Sequence, residues 1–234
     1  MNGFDEIKKS DTQADNLQNG ELSQEKNAEN VKADKSDVEY DTQVAREKFE
    51  KHRMYLIGIS TSGLFIALMI ISAFISIPVT TSVKFTLQFL VTNVCCLLLG
   101  KKWGTLSVFL YILLGLFGLP IFSNGGGFAY VLQPSFGFLI GMMIGGFFAS
   151  WFREKVGKNN FLTYFLASLI DLVILDIVGV AYGAGMLYGY MHSTMGVWAF
   201  LMAMLIPFIP IDIAKCVISS LICPKLSKFS KFSR

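Results

Sequence analysis

From Met54 onward, long apolar runs alternate with short polar breaks, and the runs approach the roughly 20 residues that a bilayer-crossing helix needs. Six such runs occupy residues 54–76, 86–100, 103–119, 134–152, 161–182 and 197–222. They predict six transmembrane helices. The second and third are short for a full crossing, so tilt or partial burial within the protein is expected of them. Residues 1–53 lack the pattern. That segment carries 13 acidic and 9 basic side chains and only three aromatics. Such a chain buries too little apolar surface to offset its ordering entropy, so most of it is expected to be disordered. It contains no apolar core of signal-peptide type. Its last part, Asp41 to Arg53, is either a short charged helix or a solvated linker, and the linker is the preferred reading.

Composition sets the same class. Mean hydropathy is +0.53, and 53% of residues are hydrophobic, which predicts an all-α integral membrane protein. Three parts are expected: a hydrophilic cytoplasmic tail at 1–53, a six-helix membrane domain at 54–226 and a basic cytoplasmic tail at 227–234. Basic residues give the orientation. Arg46, Lys48, Lys51 and Arg53 precede the first run, and Lys101 with Lys102 separate the second from the third. Arg153, Lys155 and Lys158 separate the fourth from the fifth, and Lys225, Lys228, Lys231 and Arg234 follow the sixth. With six crossings all of these share one side, which the positive-inside rule makes the cytoplasm, and both termini lie there. After Met54 there are 11 basic and 4 acidic residues; this excess fits attraction to anionic lipid rather than to nucleic acid.

Candidate chemistry is concentrated in a few places. Asp212 and Lys215, three apart in the sixth run, share a helix face, and hydrocarbon tolerates such groups only beside a cavity, a partner or a ligand. Asp171 and Asp176 lie in the fifth run on different faces, and Asp176 is the better site candidate. Gly125, Gly126 and Gly127 follow Asn124 in the loop after the third run. They either let main-chain N–H groups approach a ligand or form a plain surface turn. Thr86 and Gln88, at the start of the second run, either contact a polar ligand or satisfy each other. Cys95, Cys96, Cys216 and Cys223 lie in apolar segments and read as small packing residues. No nucleotide-binding motif, metal-ligand set or nucleophile with its base occurs, so neither cofactor, metal nor catalytic residue is assigned. His52 and His192 read as solvated surface residues.

Taken in order, Leu116–Gly127 with Gln133-Pro134-Ser135, Phe85-Thr86-Leu87-Gln88, Leu175-Asp176-Ile177-Val178-Gly179, and Pro207 to Asp212 with Lys215 resemble the BioY-type biotin-binding S components of energy-coupling-factor vitamin transporters. The resemblance spans about residues 55 to 226. It implies a six-helix capture subunit in the cell membrane, without an ATPase of its own. In that family the glycine-rich loop caps the vitamin. The implied contacts are Gln88, Asn124, Gly125, Gly126, Gly127, Gln133, Phe138, Asp176, Asp212 and Lys215, with Phe122, Phe128, Tyr130 and Phe138 covering the apolar parts of biotin. Gly63 and Ala67, at small-xxx-small spacing in the first run, are the implied docking surface for a transmembrane coupling subunit of EcfT type, unless they serve packing within the bundle. Two cytosolic ATPases complete the implied partners. Where the family carries Gly-Pro-Thr/Ser-Gly-Gly-Tyr, this chain has Gln133-Pro134-Ser135-Phe136-Gly137-Phe138, and Ile211 replaces a common glycine. Phe136 is expected to add bulk at the mouth of the site. Rival readings are a membrane enzyme using Asp171, Asp176, Asp212 and Lys215 as acid and base groups, a structural membrane protein, or capture of a biotin precursor or another small vitamin.

Overall fold

The computed structural model describes residues 42–78, 84–190, 196, 202 and 208–227. The expected disorder of residues 1–41, most of the segment 191–207 including His192 and Pro207, and residues 228–234 lie outside the described residues. The chain divides into two units, residues 1–55 and 56–234.

Helix α1 runs Thr42–Phe74, so the linker reading for the segment before Arg53 does not hold from Thr42 on. Ala45, Arg46, Glu47, Lys48, Glu50 and Lys51 are good helix formers, and elongating a helix is far easier than nucleating one. Glu50 and Arg53 pair at 3.6 Å across one turn. After α1 comes a small antiparallel hairpin of β1 (Ser76–Pro78) and β2 (Lys84–Thr86), with Ser76 opposite Thr86.

Helix α2, Gln88–Leu116, is broken at Gly100, where φ is 80° and ψ 177°. That backbone is open to glycine and strained for other residues. The break reverses the chain. A Cβ placed on Gly104 would stand 2.6 Å from the Cα of Cys96, whereas eight residues of continuous helix span about 12 Å. The two halves, 88–99 and 101–116, therefore lie side by side, at the positions of the two short apolar runs. Helix α3 covers Phe136–Val156 and α4 covers Phe161–Ala184, continued by a π turn at Gly185–Tyr190. Helix α5 spans Ile209–Leu226. Among the described residues, four helical stretches are long and apolar enough to cross a membrane: α1, α2, α3 and Phe161–Gly189.

Glycines bring α3 against α4. A Cβ on Gly141 would lie 2.9 Å from the carbonyl oxygen of Leu175, and one on Gly145 2.7 Å from that of Asp171. One turn earlier on the same stripe, Gly137 meets the Tyr182 side chain. Such close approach gives van der Waals contact, which drives helix association in lipid. Beside this seam lies a buried polar chain. Asn93 Nδ2 donates to Asp171 Oδ2 at 2.8 Å, Ser168 Oγ donates to Asn93 Oδ1 at 3.0 Å, and Ser168 and Ser219 hydroxyls are 3.0 Å apart. It joins α2, α4 and α5. All four cysteines are free and buried, filling small spaces in the same core.

Two outcomes follow. Gly145→Ala overpacks the seam and lowers stability by about 1–3 kcal/mol, read as a drop in Tm in detergent, while Gly63→Ala, whose Cβ meets nothing within 4 Å, does not lower Tm, alanine being the better helix former. Asn93→Leu strips Asp171 of its amide donor and costs about 1–3 kcal/mol; adding Asp171→Leu recovers part of that loss in a double-mutant cycle.

Candidate binding site

The N-terminal ends of α2, α3 and α5 and the C-terminal half of α4 surround a cavity of about 90 Å³. Its polar wall is Thr86, Gln88, Asp176, Asp212 and Lys215. An apolar wall faces it, with Phe89 from α2, Phe138, Leu139 and Met142 from α3, Leu175 from α4 and Phe208 just before α5. Three hydroxyls, of Ser123, Tyr130 and Ser135, come from the loop between α2 and α3. The helical period explains the assembly: Phe138 and Met142 are four apart, and Asp212 and Lys215 three apart, so each pair faces one way.

Asp212 and Lys215 form the electrostatic centre. Lys215 Nζ lies 2.7 Å from Asp212 Oδ1 and donates to the Thr86 carbonyl at 2.8 Å. It also stands 5.9 Å from the centroid of the Phe89 ring, within reach of a cation–π attraction. The two side chains are only 9% and 6% exposed, Asp212 and Lys215 respectively. Pro210 sits in the first turn of α5, where its missing N–H costs nothing, and Asp212 in the same turn is favoured by the helix dipole. Gln88 is buried at 4% exposure. Asp176 is half-buried and is the second carboxylate in the wall.

The loop over this end is built by its glycines. Phe122 and Gly125 exchange backbone hydrogen bonds of 2.8 and 3.1 Å, closing a turn over Ser123 and Asn124. Gly125 and Gly127 take φ values of 110° and 94°, and a Cβ on Gly126 would strike the Leu119 carbonyl. Each of the three consecutive glycines thus has a backbone reason. Gly127 N–H donates to the Gly115 carbonyl at 2.7 Å, and the missing side chain of Gly115 makes room for the buried Phe122 ring. Two tyrosines pin the loop: Tyr111 of α2 donates to the Ile121 carbonyl at 3.0 Å, and Tyr182 of α4 donates to the Val131 carbonyl.

Of the residues singled out in the sequence, Gln88, Phe138, Asp176, Asp212 and Lys215 converge on the cavity. Asn124, Gly125, Gly126, Gly127 and Gln133 stand in the loop and are not part of the cavity wall. Tyr130 lines it, Phe122 packs beneath Tyr130 with ring centroids 4.6 Å apart, and Phe128 points outward at 79% exposure. Phe136 does not add bulk at the mouth. It is buried between Tyr130 and Tyr182, edge-on to both, because Gly137 behind it lets α3 close on Tyr182. Asp171 is fully buried, bonded to Asn93, and absent from the wall. Ser123, Ser135, Leu139, Met142 and Leu175 were not foreseen. Residue 142 was signalled only by its helical spacing from Phe138.

The family model described as the BioY family matches residues 46–232. The biotin transporter BioY of Thermotoga maritima is 37% identical over 168 residues, covering 71% of this chain and 94% of that protein. A probable biotin transporter BioY from Pyrococcus horikoshii is 33% identical, over 72% of this chain and 94% of its own length. The crystal structure of an S-component for biotin from an ECF-type ABC transporter matches with a TM-score of 0.66 at 28% identity, covering 74% of this chain and 92% of that one. Since the match takes in every described helix and relatives align along nearly all of their length, this chain belongs to the BioY family.

Proposed function

We propose that this chain is the capture subunit of an energy-coupling-factor importer in the cell membrane, and that biotin binds in the cavity bounded by Gln88, Phe138, Asp176, Asp212 and Lys215. The observation that carries the reading is the buried Asp212–Lys215 pair on the polar wall of a cavity whose opposite wall is apolar, in a chain whose relatives are biotin transporters. A ureido ring offers two N–H donors and one acceptor. Carboxylate and amide oxygens of Asp176, Asp212 and Gln88 accept from the donors, and the Lys215 ammonium donates to an oxygen. Phe138, Leu139 and Met142 cover the fused rings and the valeryl chain.

At about 90 Å³ the cavity is well below the usual range for small-molecule sites, roughly 300–1,000 Å³. Binding therefore widens the cavity, and the loop bearing Asn124, Gly125, Gly126, Gly127 and Gln133 closes over the vitamin as a cap. Six membrane helices with both termini in the cytoplasm, a hydrophilic tail over 1–53, a membrane domain over 54–226 and a basic tail over 227–234 complete the architecture. The charge distribution supports this orientation, with the site opening outward.

Family members are transporters and not enzymes. Energy for release comes from partners, a transmembrane coupling subunit of EcfT type and two cytosolic ATPases. Gly63 and Ala67 are exposed on one face of α1, and a Cβ on Gly63 would meet nothing within 4 Å. That open strip is the docking surface for the coupling subunit.

Two experiments test these assignments. Asp212→Asn and Lys215→Met each weaken biotin binding by about 10- to 100-fold, the worth of one charge-assisted hydrogen bond, while Asp171→Asn leaves affinity within about threefold; equal effects at Asp171 and Asp212 would remove the cavity as the site. Gly63→Leu retains biotin binding and loses co-purification with the coupling subunit, and retained assembly would exclude α1 as the docking face.

A further inference from the structure

A second cavity, of about 390 Å³, opens near the other end of the bundle. On α3 its Arg153 stands roughly 15 residues beyond Phe138, or about 22 Å along the helix axis. Four cationic side chains, Lys101, Lys102, Arg153 and Lys158, and one carboxylate, Glu154, line it together with Trp103 and Tyr164.

The cavity is built by the fold. The left-handed backbone at Gly100 turns α2 back on itself, and Glu154 of α3 holds the turn. Its Oε1 accepts from the Lys101 N–H at 2.9 Å, and its Oε2 lies 3.2 Å from Lys101 Nζ. Both carboxylate oxygens are thereby engaged by one lysine. Arg153, one residue before, is only 6% exposed. Its guanidinium lies 3.5 Å from the Tyr164 hydroxyl and 5.9 Å from that ring's centroid. A planar guanidinium in this setting suits a phosphate group. Lys102, at the start of the second half of α2, and Lys158, in the loop between α3 and α4, are exposed and border the cavity. The positive excess here is concentrated around a buried arginine, unlike lysines spread over a solvated face. Trp103 and Leu99 give the same cavity an apolar wall, the kind of surface found where a membrane meets water. Basic pockets between helices at that depth hold anionic lipid headgroups.

We propose that this cavity binds a phosphodiester, supplied by the headgroup of an anionic phospholipid of the phosphatidylglycerol type. The phosphate lies between Arg153, Lys102 and Lys158, and the glycerol backbone rests on Trp103. Bound lipid then ties the turn of α2 to the end of α3 and the start of α4. Biotin capture at the other end does not use these side chains.

The test is native mass spectrometry of the full chain in detergent, with phosphatidylglycerol or phosphatidylcholine added at equal concentration. Phosphatidylglycerol is expected to be retained about tenfold or more over phosphatidylcholine. The double variant Lys102→Gln, Lys158→Gln loses that preference and still binds biotin, and the control Lys48→Gln, Lys51→Gln keeps it. Equal retention of the two lipids, or equal loss in both double variants, marks diffuse surface attraction and overturns the proposal. A parallel arm adds inorganic phosphate without lipid and reads Tm. A rise in Tm matching that from phosphatidylglycerol, with millimolar phosphate displacing the lipid, assigns the pocket to free phosphate and overturns the lipid reading.

Discussion

A charge placed in hydrocarbon must find a partner, and Lys215 is where this constraint governs the site. Its ammonium, on the first turns of α5, is satisfied by Asp212 on its own helix and by the Thr86 carbonyl at the end of β2. One side chain thus fastens α5 to the hairpin between α1 and α2. Removing either member of a buried pair strands the other, at a cost of about 3–5 kcal/mol. The pair is therefore held in place beside the cavity by contacts of the fold itself. Preorganisation of that kind reduces the ordering cost of binding.

Asp171, a carboxylate outside the cavity wall, obeys the same constraint in another way. Asp171 has the neutral donor Asn93, and the Ser168 and Ser219 hydroxyls extend the chain to α5. It sits against Gly145, where α3 comes closest to its backbone. The carboxylates divide the work: Asp171 fixes the helix seam, and Asp176 and Asp212 face the cavity. The loop above is held at opposite ends by Tyr182 of α4 and Tyr111 of α2.

The apolar runs made the helices legible, because a membrane demands long uninterrupted segments and the chain supplies them. The reversal at Gly100 was also legible, as Lys101 and Lys102 interrupt the second and third runs. Other features depend on distant partners. Asn93 reads as an ordinary polar residue until the fold brings Asp171, 78 positions away, to its amide. The hairpin of β1 and β2 is too short to leave a period. The seam glycines Gly137, Gly141 and Gly145 went unremarked although they share the four-residue spacing of Gly63 and Ala67, and only the packing separates the two sets, the latter facing outward. At the site, charge singled out Asp176, Asp212 and Lys215, since such groups are rare in apolar helices. The apolar wall carries no comparable signal: Leu139 and Met142 look like any core residue, and Phe136 was misplaced because its burial depends on Tyr130 and Tyr182.

The most direct measurement is equilibrium binding of labelled biotin to the purified full chain alone in detergent, with riboflavin as competitor. The account predicts saturable, riboflavin-insensitive binding at one site per chain without any ATPase subunit. A folded sample that binds no biotin, or that releases it to riboflavin, would contradict it.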